Sequence, residues 1–270
     1  MNDERKPRSS FRVHHSSFPV KRLFTTFPPA LRHSDFRLLW LGQLISASGS
    51  MMQTAAILWH VYDVTHQPVA LGLVGLVRIV PVVGLSLVSG LAADRFDRRK
   101  LMMFTQTGMA VCAALLGLLA VSGAKAVWPI YLLAALSSAF GAFDLPARQS
   151  LIPNLVPRED LPNAFSVNST MMQAASVAGP ALAGTVIAQA GVQWAYWFNA
   201  ASFLAVIVAL LAMHVRPTIA RADRPAVSVG AALEGLRFVR RTPIILSTML
   251  LDFIATFFSS ANALLPIYAK

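Results

Sequence analysis

The sequence predicts an all-α membrane protein with seven spanning helices, and three observations lead there. The 270-residue chain is 56% hydrophobic and only 13% charged, whereas a soluble domain carries about 25% charged residues. Its apolar residues come in long blocks, and about 20 residues at 1.5 Å each are needed to cross about 30 Å of hydrocarbon. Its Lys and Arg residues gather in alternate connections between those blocks.

Residues 1–34 form a basic tail, expected to be mobile, with Arg5, Lys6, Arg8, Arg12, Lys21, Arg22 and Arg32. It holds no apolar core followed by a small-residue cleavage site, so no signal peptide is read in it. The expected spans are Phe36–Tyr62, Val69–Ala93, Leu101–Ser122, Trp128–Ala147, Pro162–Ala190, Gln193–Val215 and Pro243–Tyr268. In lipid every backbone polar group must be paired, which leaves only helices or closed barrels. Barrel strands would be about 10 residues long with alternating polarity. These blocks are longer and do not alternate, so they are helices.

Positive charge sets the orientation. The tail is basic, the second-to-third connection has Arg95, Arg98, Arg99 and Lys100, and the fourth-to-fifth has Arg148 and Arg158. The sixth-to-seventh has Arg216, Arg221, Arg224, Arg237, Arg240 and Arg241. On the opposite side only Lys125 appears in the short connections. The positive-inside rule places the N-terminus in the cytoplasm, so the expected location is the cytoplasmic (inner) membrane. The net charge of +11 is therefore topogenic, and nucleic acid is not an expected partner. Within the 216–242 linker, Val229, Ala232, Leu233, Leu236 and Val239 recur at helical spacing beside charged residues. That pattern predicts an amphipathic helix at the cytoplasmic interface.

The most specific stretch is Gly90-Leu91-Ala92-Ala93-Asp94-Arg95-Phe96-Asp97-Arg98-Arg99-Lys100. Topogenic charge explains its arginines but not the order of Gly90, Asp94 and Arg95. It resembles the signature Gly-x-x-x-Asp-Arg-x-Gly-Arg-Arg/Lys of the major facilitator superfamily, matched by Gly90, Asp94, Arg95, Arg98 and Arg99. Asp97 departs from the usual Gly, and is similar there to the branch containing enterobactin-exporter-like and macrolide-efflux-like members. Three further stretches resemble that branch. They are Phe36-Arg37-Leu38-Leu39-Trp40-Leu41-Gly42-Gln43, Phe143-Asp144-Leu145-Pro146-Ala147-Arg148-Gln149, and Gly179-Pro180-Ala181-Leu182-Ala183-Gly184.

The resemblance implies a bundle over 35–215 of two inverted three-helix repeats, and 243–270 as the seventh of twelve spans. On that view the chain is truncated, and a missing C-terminal half or a second chain is a needed partner. It also implies a gating cluster of Gly90, Asp94, Arg95, Arg98, Arg99, Asp144 and Arg148. Asp144 would pair with Arg95 or Arg98, and Asp94 would cap a helix of the C-terminal half.

Other candidates rest on the residues alone. Ala175, Gly179 and Ala183 recur every four residues, and such stripes let helices approach closely. Pro180 removes a backbone donor, so Gly179, Pro180 and Gly184 form a candidate packing hinge. Arg78 lies inside the second span, about 14 Å from its start, where a charge is costly and faces protein or water. With Arg78, the candidates for a substrate or ion pathway are Gln43, Gln53, Asn168, Gln173 and Asp252. Asp144 and Asp252 are expected near cytoplasmic helix ends, within reach of interfacial water.

The single cysteine, Cys112, allows no internal disulfide and no cysteine zinc site. The histidines show no metal spacing, and no cofactor is expected. No phosphate-binding or dinucleotide glycine loop is present, nor a nucleophile–base arrangement, so neither ATP hydrolysis nor another enzyme activity is read. The expectation is a secondary transporter in the lipid bilayer, exporting a siderophore or drug-like small molecule driven by an ion gradient, with a proton as coupling ion. An uptake symporter is the alternative within the class. A non-transporting membrane subunit is the alternative outside it.

Overall fold

In the computed structural model, residues 28–123, 126–214 and 237–259 are described, and all of their regular structure is helical. The long helices are α1 (Ser34–Thr65), α2 (Pro68–Arg95), α3 (Arg98–Val121), α4 (Trp128–Leu151), α5 (Leu161–Ala190), α6 (Val192–Ala212) and α7 (Pro243–Ser259). Helices α2 to α6 are each long and apolar enough to cross a membrane. Helix α1 is as long but more polar, because Gln43, Ser46, Gln53 and His60 lie along it and are buried. The expected amphipathic segment 228–241 lies outside the described residues except for 237–241, which are helical. Residues 1–27 of the tail, Lys125, Arg216, Arg221, Arg224 and the end of the seventh span at Tyr268 also lie outside them.

Turn residues place the helix ends. Helix α1 stops where His66 adopts φ 54° and Gln67 turns extended. Pro68 then opens α2, at a position where a missing N–H costs nothing. Pro129 and Pro162 stand in the first turns of α4 and α5 in the same way. Between α5 and α6 there is a single residue, Gly191 at φ 95°, a conformation that side chains oppose. The docked chain begins before α1. Ala30 and Leu31 are buried in a short 3-10 helix, Pro29–Arg32, and the Ala30 N–H donates to Asn163 Oδ1 at 3.1 Å.

Helix α1 packs along α5 and α6, α4 packs along α2 and α3, and α3 packs along α6. Apolar cores fill the two ends of the bundle. Phe36, Met102, Leu151 and Leu210 meet at the end that carries the α2–α3 connection. Ile57, Leu71, Leu116, Ile130 and Tyr196 meet at the other. Outside, Leu76, Ile79 and Val83 of α2 are exposed. That is costly in water and neutral in lipid, so the outer surface fits a bilayer.

Candidate functional site

The α2–α3 connection is built from α3 outward. Asp97 takes the N-cap position of α3, where its side chain accepts from the backbone N–H groups of Arg99, at 2.9 Å, and Lys100, at 3.3 Å. Two of the unpaired donors of the first turn are thereby satisfied. Its φ of −59° is one any residue adopts, so Asp in place of Gly is a working cap. Arg98 is buried, and its guanidinium donates to the Ser150 carbonyl at 2.8 Å in the last turn of α4. Arg99 donates to the carbonyls of Leu211, at 3.1 Å, and Met213, at 3.4 Å, where α6 ends. Terminal carbonyls of a helix lack partners and carry partial negative charge. The two arginines therefore fasten the ends of α4 and α6 to the start of α3. Arg95 is exposed, and the Asp94 side chain lies outside the described part of the structure.

Asp144 corrects two expectations. It is 6% exposed, not within reach of interfacial water. It is not paired with Arg95 or Arg98 either: its Oδ1 accepts from the Thr105 hydroxyl at 3.1 Å and the Gln106 amide at 2.9 Å. The reason is depth. Asp144 lies seven residues before the end of α4 and Thr105 seven residues after the start of α3, each roughly 10 Å from its end by helix rise. In antiparallel neighbours those positions face each other, while Arg98 stands opposite Ser150.

Alongside this layer an open cavity of about 660 Å³ lies between α1, α2 and α4, with contributions from α3, α5 and α6. Of the candidates, Gln53, Arg78, Gly90 and Arg148 line it. Gln43 reaches it indirectly, accepting at Oε1 from the Arg148 guanidinium at 2.8 Å. Gln53 Oε1 accepts from the Asn199 amide of α6 at 2.8 Å, and Ser202 donates to Asn199 Oδ1 at 2.9 Å. Asn168 and Gln173 of α5 are not among its lining residues. Asp252 is exposed on α7.

The small-residue stripe of α5 divides. Ala175, Gly179 and Ala183 are buried. A side chain on Gly179 would come within 2.9 Å of the backbone of Met51 and Met52 in α1. Gly184 faces open space and Pro180 is exposed, so only Gly179 of the three meets α1. Helix α5 runs unbroken through Pro180.

Sequence reasoning missed Ser86, Ser89, Ser137, Ser138 and Gln149, all of which line the cavity. A signal was present. Arg78, Val82, Ser86 and Gly90 recur every four residues, and Ala134, Ser138, Ala142 and Pro146 do likewise. Each is one face of a helix. Thr105 and Gln106 were missed because nothing local distinguishes them from other polar residues of a span.

A bilayer-spanning helical bundle around an arginine-bearing cavity is the build of a membrane transporter, not of an enzyme. The chain belongs to the transmembrane secretion effector family of the major facilitator superfamily, whose profile matches residues 24–270. It is 30% identical over 216 residues to the MFS-type transporter YfiS of Bacillus subtilis, covering 78% of this chain and 51% of that protein. It is 28% identical over 239 residues to the enterobactin exporter EntS of Escherichia coli, covering 88% of this chain and 56% of the exporter. The Citrobacter koseri EntS is 29% identical over the same length. The chain thus spans about half the length of the curated relatives it matches. No solved structure gives a significant match.

Proposed function

We propose that this chain contributes the N-terminal bundle of a secondary exporter that moves a siderophore or drug-like small molecule outward, coupled to a proton gradient. The observation that carries this is the cavity. Its wall is mostly apolar but carries hydroxyl, amide and guanidinium groups, it reaches Arg78 inside a span, and it lies in a member of a family that includes siderophore exporters. The buried carboxylate of Asp144, one helical turn from Arg148 of the cavity wall, supports a proton-linked cycle. The N-terminus lies in the cytoplasm on this reading, with Arg95 and Arg158 on the same side.

The bundle is two inverted three-helix repeats on the same reading, and its packing supports that. Exchanging α1 with α4, α2 with α5 and α3 with α6 turns the α1–α5 contact into α4–α2 and the α1–α6 contact into α4–α3. The α3–α6 contact maps onto itself, so the five extensive contacts are closed under the exchange. Secondary transporters commonly use such repeats and bind substrate between them near the midplane.

The test is flux. Proteoliposomes bearing the protein expressed from its native reading frame are loaded with a panel of siderophores and drug-like compounds, with and without an imposed pH gradient. Saturable efflux that needs the gradient is expected for at least one compound. Equal flux with and without the gradient, or with empty liposomes, would overturn the proposal.

A further inference from the structure

We infer that the cavity binds a small organic anion with an aromatic or alkyl body, and that Arg78 is its charge partner. This rests on the transporter reading above and specifies the substrate class of that site.

Two arginines line the cavity, and among the described residues no Asp or Glu lines it. The two differ in what already engages them. Arg148 donates to Gln43 and stands one turn after Asp144 on the same helix. Arg78 has no hydrogen bond or ion pair among the described residues. It lies ten residues into the 28-residue helix α2, roughly 15 Å from its start by helix rise, at hydrocarbon depth. A guanidinium there is costly unless water or a counter-charge reaches it, and the cavity is the route by which either arrives.

The planar fork of a guanidinium matches a carboxylate or sulfonate in two parallel hydrogen bonds. A cationic ligand would meet two guanidiniums and no lining carboxylate, in a medium where like charges repel far more strongly than in water. The rest of the wall suits an uncharged body. Val82, Met172 and Phe203 are apolar, and methionine adapts to irregular shapes. Ser137 and Ser138 offer hydroxyls on the opposing helix α4.

Equilibrium binding of two dyes with one shared ring system tests this: anionic anilinonaphthalene sulfonate and neutral N-phenylnaphthylamine. The full chain is held in phosphatidylcholine nanodiscs, and the signal of empty discs is subtracted. The sulfonate is expected to bind more tightly than the neutral dye. Arg78→Gln should weaken the sulfonate by roughly tenfold or more, the scale of one charge-assisted pair, and Arg78→Lys should restore part of it. Retained binding of the neutral dye by Arg78→Gln shows that the cavity is still formed.

Equal affinity of the wild-type protein for the two dyes, or an unchanged sulfonate affinity in Arg78→Gln, overturns the inference while leaving the exporter reading to the flux assay. A lipid headgroup offers the same anionic chemistry. If added phosphatidylglycerol displaces the sulfonate from the wild type more than from Arg78→Gln, the occupant is lipid and the small-molecule assignment fails.

Discussion

Asn199 of α6 donates its side-chain amide to Gln53 Oε1 of α1 at 2.8 Å, and Asn199 itself is wholly buried. With Ser202 donating to its Oδ1, Asn199 is satisfied on both sides and joins α6 to a residue of the cavity wall. Interhelical hydrogen bonds in membranes are worth about 0.6 kcal/mol on average and up to about 1.7. Asn199→Leu should cost an amount in that range, because Gln53 can turn to water in the cavity. A cycle of Asn199→Ala and Gln53→Ala, read by thermal unfolding in detergent, measures the coupling. Strict additivity of the two would show that the bond contributes nothing.

Gly179 and Gly184 should behave oppositely. Gly179→Ala drives a methyl group into the backbone at Met51 and Met52, and such overpacking costs about 1–3 kcal/mol. Gly184→Ala enters open space and should stay within about 0.5 kcal/mol of the parent. Thermal stability of the two variants, measured side by side, decides. Equal destabilisation would contradict the close approach of α5 to α1.

Asp97 should act as a cap. Asp97→Ala is expected to destabilise by about 1 kcal/mol, and Asp97→Gly by only a few tenths, since glycine is a fair N-cap residue. That difference explains how the family's usual glycine and this chain's aspartate can occupy the same position. An unchanged stability in Asp97→Ala would show that the side-chain bonds to Arg99 and Lys100 are not what matters.

Asp144 should tolerate loss of its charge better than loss of its oxygen. Asp144→Asn keeps an acceptor for Thr105 and Gln106. Asp144→Leu leaves the Gln106 amide unpaired inside the bundle, at a cost of about 1–3 kcal/mol. Thr105 retains the Met102 carbonyl at 2.9 Å. Comparing the unfolding temperatures of both variants checks this. An Asn variant as unstable as the Leu variant would instead assign the stabilisation to charge.

Topology is open to direct labelling. In a Cys112→Ser background, single cysteines at exposed Arg95, Arg158 and Gln67 are exposed to an impermeant thiol reagent. Positions 95 and 158 should react from the cytoplasmic side and position 67 from the other. Labelling of positions 67 and 95 from the same side would break the arrangement.

The apolar helices α2 to α6 and the loop signature were legible in the sequence because each is decided locally. A backbone in lipid must pair its own polar groups, so a long apolar block is a helix wherever it packs. Pro68, Pro129, Pro162 and Gly191 mark ends through their own backbone chemistry. What only the tertiary structure decided is how each helix is rotated and which neighbour it meets. Lipid and bundle interior are both apolar, so hydropathy does not separate a lipid-facing side from a packed one. Hence Arg78 and Gln53 reach the cavity while Asn168 and Gln173 do not line it. Hence too Asp144 is held by Thr105 and Gln106, because the antiparallel register of α3 and α4 brings equal depths together and sets the loop arginines against helix ends instead.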